Sequence, residues 1–122
     1  MRIKLFESFD DLSKVKSDIN DIFVELSDSG FDIRVITYFT KNEYFVDIER
    51  RDKKLFDTTI LNEYDLMLRD YLEGVLPGFK LEYLFFSNNR EFKNDEYIRL
   101  DEIATGYSPR LVIKVIGQDE NS

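Results

Sequence analysis

Apolar residues recur at Phe9, Leu12, Val15, Ile19, Ile22, Phe23 and Leu26, the three- and four-residue spacing of one helix face. The opposite face carries Lys14, Lys16, Ser17, Asp18, Asp21 and Glu25. Ser8-Phe9-Asp10-Asp11 reads as a capping box, so a first helix is expected from Phe9 to the Ser29-Gly30 stop. The period then changes from helical to twofold. In Phe31–Thr40, Phe31, Ile33, Val35 and Phe39 alternate with Arg34, Ile36 and Tyr38. Lys41-Asn42 suits a tight turn, and Glu43–Arg50 returns with Tyr44, Val46 and Ile48 on the inward side, completing a hairpin.

After the polar connection Arg50-Arg51-Asp52-Lys53-Lys54, helical spacing returns between about Asn62 and Glu73, with Leu61, Tyr64, Leu68, Tyr71 and Leu72 on one face. Gly74 and Pro77-Gly78 supply its stop. Phe79, Leu81, Tyr83 and Phe85 alternate with Lys80, Glu82, Leu84 and Phe86 in a further strand. Ser87–Glu96 reads as polar loop, Tyr97–Ile103 as a short strand, Arg110–Ile116 as a final strand and 118–122 as a flexible tail. These elements predict one α+β domain over residues 1–117, with two helices on one face of a mainly antiparallel sheet in the order (β)αββαβββ. If Ile3–Phe6 pairs into the sheet, the order opens as a split βαβ, ferredoxin-like core. Residues 1–8 are therefore either the first strand or a detachable leader.

One consequence of this layering bears on function. Ile36, Tyr38, Phe45, Leu84 and Phe86 all alternate away from the helices, so helices on one side alone leave these residues as an apolar–aromatic interaction surface. The chain has 11 Phe and 7 Tyr, more aromatic surface than a core of this size needs. A protein partner, self-association or the C-terminal strands are the expected cover.

Composition narrows the chemistry. The 122 residues hold no Cys, which removes disulfides, thiolate nucleophiles and Cys-ligated metal, and no His, which removes the usual base near neutral pH. Serine and cysteine triads built on His are excluded, and no catalytic residue, cofactor site or metal site is assigned. Net charge is −8, with 25 acidic and 17 basic residues interspersed along the whole chain. Such a surface repels phosphates at long range, which disfavours nucleic acid as a partner. No apolar run reaches the roughly 20 residues of a membrane span.

Three motifs invite sharper readings. Lys41-Asn-Glu-Tyr-Phe-Val-Asp-Ile48 shares Lys41, Phe45 and Val46 with the stacking strand of RNA-recognition domains, but Glu43 stands where a base should stack. Glu91-Phe92-Lys93 and Asp52-Lys53-Lys54, with Asp32 or Asp47 upstream, match the acid-x-Lys triplet of metal-dependent nucleases, yet both fall in polar connections. The cluster Arg50, Arg51, Lys53 and Lys54 reads as a solvated connection.

The opening residues carry a family likeness. Lys4-Leu5-Phe6-Glu7-Ser8-Phe9, with Lys4, Phe6, Glu7 and Phe9 as its marks, resembles the K-x-[FY]-x-x-F opening of small tailed-bacteriophage proteins. Asp18–Phe31 is similar to a helix–turn–strand segment of uncharacterised phage proteins. Leu5-Phe6-Glu7 also fits the L-x-E pattern at which prohead proteases cut packaged proteins, as does Leu61-Asn62-Glu63. The resemblance covers about the first quarter of the chain and implies a small phage accessory protein. Such a protein acts by protein–protein contact in the cytoplasm of the infected bacterium or within the virion. The competing expectations are an acidic inhibitor of a host defence or nucleic-acid-processing protein, and a small metal-dependent nuclease.

Overall fold

A computed structural model describes residues 13–38, 43–87, 96–103 and 105–117. Helix α1 (residues 13–22) gives way at Phe23 to a short second segment, α2 (Val24–Asp28). The single helix expected here is thus interrupted at Phe23, whose backbone (φ −97°, ψ 10°) departs from helical geometry. Its ring is fully buried and stacks on Tyr64 at 5.7 Å between centroids. Gly30 then takes φ +103°, the left-handed conformation that ends a helix at little cost only for glycine.

Strands β1 (Phe31–Tyr38) and β2 (Glu43–Arg50) form the expected hairpin, in register from Phe31↔Arg50 to Tyr38↔Glu43. A two-residue strand β3 (Phe56–Asp57) leads through a 3-10 turn at Thr58–Leu61 into helix α3 (Asn62–Val75). Then come β4 (Lys80–Ser87), β5 (Glu96–Leu100), β6 (Tyr107–Ser108) and β7 (Arg110–Ile116). The main sheet has the order β1-β2-β7-β4-β5, every neighbour antiparallel, and β3 pairs with β6 in a small second sheet. The α+β class and the αββαβββ run of major elements match the sequence reading. The central slot between β2 and β4 is taken by the C-terminal β7. In a split βαβ sheet that slot belongs to an N-terminal strand, so here the ferredoxin-like order is reached from the other end of the chain. Ile3–Phe6, the Lys41-Asn42 turn and the tail 118–122 lie outside the described residues.

Alternation along each strand sorts the sheet into two faces. The inner face carries Phe31 and Val35 of β1, Tyr44, Val46 and Ile48 of β2, Leu111, Ile113 and Val115 of β7, and Leu81 and Tyr83 of β4. Against it pack Val15 and Ile19 of α1, Phe23, Leu26 of α2, and Leu68 and Leu72 of α3, giving one continuous core. The row Val46↔Ile113↔Tyr83 runs across its centre, all three fully buried. At about 25 cal/mol per Å², burying side chains of this size contributes about 1.5–3 kcal/mol each.

Two polar clusters sit at the edge of that core. The Tyr83 hydroxyl reaches from β4 to donate to Asp65 Oδ1 of α3 (2.5 Å) and accepts from Arg69 Nη2 (2.9 Å), while Arg69 Nε donates to Asp65 Oδ2 (3.0 Å). Burial, reinforced by the neighbouring Asp65 carboxylate, pushes the Tyr83 hydroxyl well above the usual phenol range. Between the helices, Tyr71 donates to Asp18 Oδ2 (2.6 Å). That bond and the Lys14 ammonium hold the Asp18 carboxyl below its usual range. At the C-terminus of α2, Arg51 Nη2 donates to the Ser27 carbonyl (2.8 Å) and the Arg51 N–H to the Gly30 carbonyl (3.0 Å). Part of the basic connection is therefore a helix cap, placed where a cation suits the helix dipole.

Candidate functional site

The outer face of the sheet is built from the positions that alternate away from the helices. Register places Ile36 beside Phe45, then Lys114, then Glu82 in one row across β1, β2, β7 and β4. The next row is Arg34, Asp47, Val112 and Leu84. Ile36 is 40% exposed, and Phe45, Leu84 and Phe86 are half-buried. Tyr38 holds the next outward register position of β1, opposite Glu43. The five residues expected to form an interaction surface thus belong to one sheet face by register, and no described helix packs on that side.

This face is less apolar than alternation alone suggests, because cations lie over its rings. The Arg110 guanidinium sits 4.7 Å from the centre of the Phe86 ring, and the Lys114 ammonium 5.7 Å from that of Phe45. Arg110 also donates to Asp47 through two parallel bonds of 2.8 Å, joining β7 to β2. Lys114 lies 3.9 Å from both Glu43 and Glu82, between β2 and β4. Val112 stands between Arg110 and Lys114 on its strand and between Asp47 and Leu84 across the sheet, and it is only 5% exposed. Long basic side chains can cover apolar surface with their stems while the charged heads stay wet, which accounts for a buried valine on a face that no described helix covers. These cross-strand pairs were invisible in the sequence because they depend on β7 lying beside β2. Only the strand alternation could have hinted at them.

The nuclease-like triplet Asp52-Lys53-Lys54 occupies an exposed turn in which Lys53 takes a positive φ of 63°. Asp52 there pairs with Arg50 and accepts from the Lys54 backbone N–H (3.0 Å). Its upstream acids are engaged elsewhere, Asp32 with Arg51 (3.4 Å) and Asp47 with Arg110. Glu91-Phe92-Lys93 and the leader marks Lys4, Phe6, Glu7 and Phe9 lie outside the described residues. Among the described residues no three acidic side chains gather to hold a metal ion, and no helix is long and apolar enough to cross a membrane. Comparison of the chain with protein-family models, curated proteins and solved structures finds no match.

Proposed function

We propose that this is a small accessory protein that acts by protein–protein contact through the outer face of its sheet. The observation that carries the reading is that face itself, where Ile36, Phe45, Leu84 and Phe86 are interleaved with ordered ion pairs and no described helix covers them. Aromatic anchors among arginines are the composition that protein interfaces favour. The partner surface this face fits mixes apolar contacts with charge, basic groups toward β1–β2 and acidic groups toward β7–β4. The phage-like opening of the chain supports a setting in an infected bacterium or its virions. Capture from phage-infected cells tests the reading, with wild-type protein and Ile36→Glu as paired baits. A specific partner held by the wild type and released by the variant is the expected result; identical partners on both baits refute it.

The second reading, a small nuclease, is favoured only by the acid-x-Lys triplets. Purified protein with Mg²⁺ or Mn²⁺ is expected to leave DNA and RNA intact. Metal-dependent cleavage abolished by Lys54→Ala or Lys93→Ala would reverse the assignment.

A further inference from the structure

The outer face is electrically divided. Its β1–β2 half carries Asp32, Glu43, Asp47 and Glu49 against Arg34 alone, while its β7–β4 half carries Lys80, Arg110 and Lys114 against Glu82 alone. The boundary runs along the β2–β7 seam, which the Asp47–Arg110 pair bridges. A surface with one acidic and one basic half, split by a line parallel to its strands, complements itself. A two-fold axis parallel to the strands and above that seam lays the acidic half of one copy on the basic half of the other. We infer that the outer face binds a second copy of this chain, forming a two-fold dimer in which two sheets pack face to face. This inference rests on the contact function proposed above and names the partner.

Geometry supports the assignment in three ways. With the axis above the β2–β7 seam, β1 lies over β4 and β2 over β7, so strands about 4.8 Å apart and rising about 3.4 Å per residue overlap as a four-stranded, eight-residue face of about 19 by 27 Å. Two such faces bury about 1,000 Å² together, the area that a specific interface has to reach. Next, a two-fold contact is isologous, so any patch that complements itself is used twice. Sheets also pack aligned, within about 30° of one another, the orientation that an axis along the strands produces. Finally, the most central charges are already matched within each copy, Asp47 by Arg110 and Lys114 by Glu43 and Glu82. Burying these pairs leaves none of their own charges alone. Ile36 and Phe45 in the acidic half, with Leu84 and Phe86 in the basic half, supply the apolar contact.

Sedimentation equilibrium over a wide concentration range tests the inference, on the full chain at physiological salt. Wild-type protein is expected to reach twice the 14.6 kDa chain mass. Ile36→Glu and the double reversal Asp32→Lys/Glu49→Lys are each expected to weaken the dimer at least about tenfold, the size of a single lost interface anchor. Circular dichroism melts check that both variants remain folded, since Ile36 and Asp32 are exposed. Leu66→Glu, on the solvent face of α3 and 67% exposed, is expected to leave the dimer intact. A wild-type monomer at every concentration overturns the inference, as does a dimer that tolerates both outer-face variants but dissociates in Leu66→Glu. A wild-type monomer that still loses a captured partner on Ile36→Glu would remove the second copy while leaving the contact function in place.

Discussion

Removing the Tyr83 hydroxyl isolates what the polar cluster contributes at the edge of the core. Tyr83 is fully buried, so Tyr83→Phe keeps the ring packed beside Ile113 while deleting one oxygen. That oxygen donates to the Asp65 carboxylate and accepts from Arg69. A hydrogen bond to a charged group is worth about 1.5–3 kcal/mol net. The Arg69 side chain is 38% exposed, so water regains part of the loss and about 2 kcal/mol is expected. Near 60 °C an unfolding entropy of about 2.1 cal/mol/K per residue over 122 residues turns this into a Tm lower by about 8 °C. Urea unfolding at pH 7 measures the free energy directly. The pH dependence supplies an independent check. The folded-state pKa of Tyr83 is raised, so its contribution is fully present below the unfolded value near 10 and is lost as pH rises through the folded value. The gap between wild type and variant should therefore narrow above about pH 10. A change under about 0.5 kcal/mol at pH 7, or a gap that stays constant into alkali, would refute the energetic role assigned to the cluster.

Other variants probe the remaining parts of the fold. Ile113→Ala, at the centre of the inner face, should cost about 2–5 kcal/mol in urea unfolding through the cavity it leaves. Gly30→Ala should cost about 1 kcal/mol although nothing lies near the added methyl, because φ +103° strains any other residue; Lys53→Gly, at φ 63°, should be neutral or stabilising in the same assay. Arg110→Ala should cost no more than about 1 kcal/mol, since the Asp47 pair is partly solvated, and a loss above about 3 kcal/mol would mean that its cover over Phe86 and Val112 matters more than stated. Stability should also fall as pH drops below about 4, because Asp18 has a folded pKa lowered below its unfolded value and its contribution is lost on protonation; Asp18→Asn should flatten that acid limb.

Local patterns made much of this architecture legible. The hairpin and β4 alternate with period two because one face is buried against helices, β7 departs from that period only at the buried outer Val112, and the register keeps the predicted inward and outward sets of the hairpin and β4 apart. Helix α3 was marked by its apolar spacing and by the Pro77-Gly78 stop beyond it, although Gly74 proves to lie inside the helix. What was hidden depends on long-range pairing. A two-residue strand has no period to read, so β3 and β6 were missed, together with the buried Thr58 that bonds the Gly106 carbonyl through both its N–H (2.8 Å) and its hydroxyl (3.1 Å). The insertion of β7 between β2 and β4 is likewise set by tertiary contacts, and with it the ion pairs of the outer face. The Asp65–Arg69 spacing and the inward position of Tyr83 were each visible, but nothing local says that they meet.

The proposed contact function belongs to the outer sheet face. Site-specific photocrosslinking tests it most directly, with the crosslinker placed at position 36 or at position 66 in protein expressed during phage infection. A discrete crosslinked protein is expected from position 36, and none from position 66 on the solvent face of α3. Crosslinking from position 66 alone, or from neither position, would contradict it.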